Sequence, residues 1–350
     1  MKIFYALLLL VPIAILIKVL GIGGHTIVFI VSALALVPLA AVLGQTTEEV
    51  GIYTGPTIGS LLTATLGNAA ELIITIVALK EGLVEVVKAS IAGAVIGNIL
   101  VVLGLSLLFG GLKNGEQSFD PKRAGTNATI MTLAVLALLI PAIFSLGEPG
   151  HRPSDHDISH LSDGLAIVLI VLYGLYLVFT LRQPHGAAVG ESEPETPSMR
   201  LPVAVGVLAA TTIAIVVVSE LMVGALEPTA ESWGLTDLFV GVMLLPLAGS
   251  IAEQSVAVRM AVADKMELSL GIAVGSGLQI ALFVTPVLVF AGVILNQPMT
   301  LVFDQFELIA LFVATLIAVL ISIDGKSNWL EGAELLALYA MIGIAFFFVP

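Results

Sequence analysis

Two glutamates stand deep inside apolar stretches of this sequence, Glu71 within LLTATLGNAAE and Glu253 within MLLPLAGSIAE. A bare carboxylate at such depth costs several kcal/mol, so each must carry a proton or meet a cation. Two such groups brought together would compensate one divalent cation, and would hold protons once it leaves. The chemistry they suit is exchange, in which the same oxygens serve two ligands in turn. Glu71 and Glu253 are therefore the expected metal-ligating pair.

Neutral oxygens lie at comparable depths on Asn68, Ser250, Gln254, Asn98, Ser276 and Gln279. Each is as well suited to an interhelical hydrogen bond as to ligation. Asn68, Ser250, Asn98 and Gln279 join the glutamates in the expected cation- and proton-binding set. Gly67 and Gly249 allow the backbone to approach closely or unwind, which would present carbonyl oxygens to a hard cation. Gly93, Ala94, Gly97, Gly271 and Gly275 permit tight helix contact. Glu48, Glu49 and Glu220 form a possible cation vestibule, with Glu231 and Asp237 as further carboxylates. Solvated helix ends would account for these equally well.

The elements that must position these groups follow from composition. The chain has 350 residues, 58% hydrophobic and 11% charged, with a mean hydropathy of +1.11. A water-soluble fold cannot hide that much apolar surface, so the solvent is lipid. A helical span needs roughly 20 apolar residues. About eleven runs qualify, near 3–20, 25–43, 56–80, 86–111, 124–146, 162–182, 201–226, 235–260, 267–292, 304–323 and 329–349. Gly55-Pro56, Asp120-Pro121, Gln183-Pro184, Glu227-Pro228 and Asp324-Gly325 punctuate the breaks. The expected fold is thus an all-α membrane protein of about eleven transmembrane helices.

Lys and Arg number nine on the side of the N-terminus and four on the other, counting Lys18, Lys80, Lys88 and Arg152 on the latter. This bias puts the N-terminus in the cytoplasm; the expected location is the cell membrane. Gln183 to Arg200, with Glu191, Glu193, Glu195 and three prolines, reads as an acidic cytoplasmic linker. His151 to Asp163 reads as an outward, solvated loop whose three histidines would bind a metal weakly at most. The net charge of −13 argues against nucleic acid as a partner. With no cysteine, disulfides and thiolate metal sites are excluded.

The two halves repeat. An offset of 182 places Gly67 on Gly249, Ala70 on Ala252, Glu71 on Glu253, Gly93 on Gly275 and Glu49 on Glu231. Residues 1–23 are then an extra first helix, 24–182 one five-helix unit, 183–200 the linker and 201–350 the second unit. Five is odd, so the second unit enters the membrane from the opposite side. Inverted repeats of this kind build secondary transporters with a site near the midplane.

The run from PLAAVLGQTTEEVGIYTGPTIGSLLTATL into Gly67-Asn68-Ala69-Ala70-Glu71 resembles the first α-repeat of the calcium/proton antiporter (CAX) family. LLPLAGSIAEQSVAV, followed by GIAVGSGLQIALFVTPVLV, is similar to the second α-repeat. The resemblance covers nearly the whole chain. It implies eleven helices, a site built from the third and eighth, and Ca²⁺ exchanged for protons through Glu71 and Glu253. The second repeat departs from the family pattern at Ser250, where Asn is usual, and at Gln254, where His is frequent.

The alternative on the same fold is a Na⁺/Ca²⁺ or monovalent cation/proton exchanger. That sodium branch usually places Pro before the glutamate, where this chain has Ala70 and Ala252. An intramembrane enzyme would need a nucleophile–base pair or an Asp/His cluster within the spans, and none is written there. No cofactor is expected, Ca²⁺ being cargo. The partners are then Ca²⁺, H⁺ and the bilayer, with the oligomeric state left open.

Overall fold

Helix starts along the chain are set by ordinary capping chemistry. Asp120 accepts a hydrogen bond from the Lys122 N–H at 2.9 Å, with Pro121 at the first helical position. Asp304 with Glu307, and Asn328 with Glu331, close reciprocal capping boxes. The computed structural model describes residues 7–147, 153–182 and 197–349. Most of the acidic linker, His151 and Arg152 lie outside the described residues.

The elements in order are α1 Leu10–Leu20, α2 Gly24–Thr54, α3 Pro56–Leu66, α4 Ala69–Lys80 and α5 Val84–Asn114. There follow a short strand β1 Gln117–Ser118, α6 Pro121–Leu146, α7 Asp155–Arg182, α8 Leu201–Val223 and α9 Leu226–Trp233. Helix α10 starts at Asp237–Phe239, passes a π turn at Val240–Leu244 and continues as Leu245–Val262. Then come α11 Met266–Ile294, α12 Gln305–Ile321, β2 Lys326–Ser327 and α13 Trp329–Phe348.

Among the described residues the expected apolar runs are largely helical, and the chain is an all-α, multi-pass membrane protein. Among the described residues, eight helices are long and apolar enough to cross a membrane. A ninth is added if Leu226–Trp233 and Asp237–Ile251, bent by 115°, count as one span. Helices α1 and α12 are apolar but shorter.

Several expected boundaries shift. Helix α2 continues to Thr54, so Glu48 and Glu49 sit within it rather than closing it. Glu227-Pro228 lies in the first turn of α9, where proline's missing N–H costs nothing, and so it does not act as a break. The stretch expected as a loop up to Asp163 is helical from Asp155. Ser154 explains this: its hydroxyl donates to Asp157 Oδ2 at 2.6 Å and accepts from the Asp157 N–H at 3.2 Å, capping the first turn.

The helices pack into two compact units whose segments interleave along the sequence. The first comprises Met1–Gly82, Gly174–Asp237 and Ala248–Ala252. Within it α8 packs along α2 and α4, and α1 covers α2. Phe29 meets Trp233 edge to face at 6.3 Å. Lys80 reaches Glu220 at 3.3 Å, an exposed pair that contributes little to stability.

The second unit comprises Leu83–Tyr173, Leu238–Leu247 and Glu253–Pro350. Its centre is α5, of whose most apolar window 83% is buried. Around α5 lie α11, α12, α13 and the π turn of α10. Gly93 makes the last approach possible: a Cβ there would fall 2.1 Å from the Val242 carbonyl oxygen. Gly97, Gly271 and Gly275 face open space. Their smallness is not used for close packing, contrary to expectation. A two-stranded antiparallel ladder pairs Gln117 with Ser327 and Ser118 with Lys326.

The 182-residue offset reappears in the backbone. It carries the α-helical stretch Val84–Gly97 onto Met266–Gln279, and the π turn Asn98–Val102 onto Ile280–Val284. A π turn adds one residue to the helical ladder and is costly unless retained for a reason. Its recurrence at matched positions marks the two stretches as copies.

Candidate ion-binding site

Glu71 sits in the first turn of α4, just after the chain breaks helix at Gly67 and Asn68. Asn68 has φ −96° and ψ 21°, off the helical values, and is 1% exposed. The break creates a new helix N-terminus beside the carboxyl group, and its positive end favours negative charge there. Glu71 is 8% exposed. Its backbone carbonyl accepts from the Thr75 hydroxyl at 2.7 Å.

In the same unit, the glutamate of the first repeat motif meets the glycine of the second. A Cβ on Gly249 would lie 3.0 Å from Glu71 Cγ and Oε1, and 3.2 Å from Cδ. The Glu71 side chain thus lies close against Gly249, and a Cβ there would fit only if Glu71 gave way slightly. Ser250, also buried, is the neighbouring residue in this unit.

In the second unit, Glu253 on α10 is hydrogen-bonded to Ser276 of α11. Ser276 Oγ in turn accepts from Asn98 Nδ2 at 3.1 Å. Because Asn98 supplies the proton of that bond, the Ser276 hydroxyl hydrogen is available to the Glu253 carboxylate. The chain ends in two oxygens, Glu253 Oε2 and Asn98 Oδ1, that are shielded from solvent and accept no hydrogen bond among the described residues. Leaving such acceptors unmatched costs about 1–3 kcal/mol each. Hard oxygens held in this way suit a cation.

Asn98 is the first residue of the π turn of α5. Gly277 keeps the neighbouring space clear, since a Cβ there would meet Met131 Cε at 2.8 Å. Gln279 lies at the last α-helical position of α11 before the second π turn and is half-buried. In α11 the Thr285 hydroxyl donates to the Ile280 carbonyl at 2.8 Å, satisfying an acceptor of the widened turn.

The vestibule candidates are more peripheral. Glu49 is half-buried and accepts hydrogen bonds from the Ser198 hydroxyl and from the backbone N–H groups of Ser198 and Met199. Glu220 is paired with Lys80. Glu48 lies beside Glu49 in α2. Glu231 and Asp237 are exposed.

One further buried carboxylate lies outside the set expected from the sequence. Glu307 is 2% exposed, and its Oε2 accepts from the Asp304 N–H at 2.9 Å. Asp304-x-x-Glu307 is a capping signature, so the pattern that locates it is written in the chain. Lys88, 6% exposed, pairs with Glu85 at 2.9 Å. Among the described residues no three His, Cys, Asp or Glu side chains converge on a metal position.

Known proteins resemble this chain along nearly its whole length. The sodium/calcium exchanger protein family matches residues 24–182 and 203–348. A Ca²⁺/H⁺ antiporter of Aphanothece halophytica is 46% identical over 370 residues, covering 99% of this chain and 97% of its own. The solved structure of native YfkE superposes with a TM-score of 0.86 at 38% identity, covering 99% of this chain and all of that one. A structure of the H⁺/Ca²⁺ exchanger CAX has a TM-score of 0.75 over 98% of this chain and 91% of its own, and at 19% identity it speaks for the fold alone. The chain belongs to the sodium/calcium exchanger protein family and, within it, stands with the calcium/proton antiporters.

Proposed function

We propose that Glu71 and Glu253 bind Ca²⁺ as carboxylates and take up protons when it leaves. The chain is a Ca²⁺/H⁺ antiporter, as relatives of that name at 46% and 43% identity support. The observation that carries the site assignment is the Glu253–Ser276–Asn98 chain, ending in two shielded oxygens with no hydrogen bond among the described residues. Glu71, buried against Gly249, is its counterpart by the repeat.

Coupling then follows from electrostatics. A carboxylate without a counter-charge is costly in an apolar helix bundle, so the empty, ionised carrier is the least favourable species to reorient. Loading with Ca²⁺ or with protons removes that penalty, and the two ligands cannot share the same lone pairs. Transport in one direction is thereby tied to transport in the other. Each proton contributes about 1.4 kcal/mol per pH unit across the membrane. Asn98, Asn68, Ser250 and Gln279 serve as neutral oxygens around the carboxylates, and Glu48, Glu49 and Glu220 as an entry vestibule.

The protein acts as a secondary transporter rather than an enzyme and needs no cofactor. Residues 24–182 and 201–350 form two five-helix repeats of opposite orientation, preceded by an extra helix in 1–23 and joined by the linker 183–200. The protein sits in the cell membrane, and the Lys and Arg bias supports a cytoplasmic N-terminus.

The test is reconstitution. Liposomes carrying the purified chain should accumulate Ca²⁺ against its gradient when an opposing proton gradient is imposed, with Na⁺, K⁺ and Mn²⁺ as competitors. Glu71→Gln and Glu253→Gln should each abolish uptake. Full transport by either variant would remove that residue from the site.

A further inference from the structure

The first turns of α7 carry Asp155, His156, Asp157, His160 and Asp163. Ser154 and Asp157 cap this end, so the segment is regular helix. Four-residue spacing therefore sets the two imidazoles on one side of it. His156 Nε2 and His160 Nε2 are 3.1 Å apart, and the rings meet edge to face with centroids 4.2 Å apart. Both side chains are exposed.

That separation is the one a shared metal ion imposes. Two imidazole nitrogens at about 2.0–2.1 Å from one tetrahedral or octahedral ion stand roughly 2.9–3.4 Å apart. We propose that His156 and His160 form a two-point chelate for a transition-metal cation of the Zn²⁺, Ni²⁺ or Cu²⁺ class, with water completing the coordination. Imidazole suits these ions, whereas Ca²⁺ demands oxygen ligands. The chelate is thus chemically distinct from the transport site.

The helix N-terminus carries positive partial charge and opposes a cation. Asp155 and Asp157 in the first turn offset it. The Asp157 carboxylate interacts electrostatically with both rings. With two protein ligands among the described residues, the site is reversible and responds to free metal; it does not hold a structural ion.

Zn²⁺ and Ni²⁺ titrated into the full chain, purified with its affinity tag removed and saturated with Ca²⁺, provide the test. Calorimetry should show one transition-metal ion per chain, unaffected by the Ca²⁺. Affinity should fall at least tenfold in His156→Ala and in His160→Ala, while both variants keep proton-driven Ca²⁺ uptake. Undiminished binding by the double variant would overturn the assignment. So would the absence of one-to-one binding in the unaltered chain, which would leave an imidazole–imidazole hydrogen bond as the whole meaning of the pair.

Discussion

The carboxyl group of Glu71 rests against Gly249, so close that a Cβ there would stand only 3.0–3.2 Å from Cγ, Oε1 and Cδ. The glutamate of the first repeat motif and the glycine of the second are thus mutually dependent. Gly249→Ala should leave the fold intact, because Gly249 is in mid-helix, where alanine is favoured by about 1 kcal/mol. The new methyl would press on Cγ, Cδ and Oε1 of Glu71 at 3.0–3.2 Å, so the side chain must give slightly. The Michaelis constant for Ca²⁺ should rise roughly tenfold, since small misplacements of a ligating group are costly. Unchanged Ca²⁺ kinetics in a stable variant would show that this contact does not position the carboxylate.

Gly93 and Gly275 are repeat mates with opposite surroundings. A methyl at 93 would sit 2.1 Å from the Val242 carbonyl oxygen and 2.6 Å from Val242 C and Cα, all backbone atoms. At 275 it would meet nothing within 4 Å. Gly93→Ala should lower stability by about 2–3 kcal/mol or prevent folding, whereas Gly275→Ala should be neutral or mildly stabilising. Thermal unfolding of the two variants in the same detergent compares them directly. Equal melting points would contradict the close approach of α5 to α10.

Ser276 links Asn98 to Glu253. Ser276→Ala removes the bridging hydroxyl and leaves both partners short, at about 1–3 kcal/mol. Proton-driven Ca²⁺ uptake should drop roughly tenfold, with Ser276→Thr retaining most of it because the hydroxyl survives. Matched losses in the alanine and threonine variants would point to packing instead of hydrogen bonding.

Gln254 follows Glu253 directly. Gln254→His introduces a group that titrates near pH 6.5. Below that pH the imidazolium would repel Ca²⁺ beside the carboxylate, so uptake should fall more steeply on acidification than in the unaltered chain. At pH 8, with the imidazole neutral, the two should agree. A pH profile that does not move would dissociate position 254 from ion binding.

Glu71 and Glu253 are legible in the sequence as a pair because charge is rare in this composition and the motif repeats at one offset. Ser276 is legible only as one neutral oxygen among several, and its selection requires knowing that Asn98 donates to it. Glu307 shows the converse: its capping signature is local and readable, but the packing that buries it is not. His156 and His160 fall in a stretch whose polar composition suits a loop, whereas the Ser154–Asp157 cap starts the helix early and brings the two rings together.

What the sequence by itself determined is the lipid environment, the helical runs, the duplication and the two glutamates. All of these rest on hydropathy, spacing and residue type, which are local properties of the chain. Tertiary structure alone decided where the copies differ. The helix breaks at Gly67 and Asn68 yet runs straight through Gly249 and Ser250. A π turn widens α10 at Val240–Leu244 with no partner at the matching positions of the first half. Gly93 is pressed against backbone while Gly275 stands open. Such differences arise because each copy packs against different neighbours. Packing depends on contacts between residues far apart in sequence, which no repeat pattern encodes.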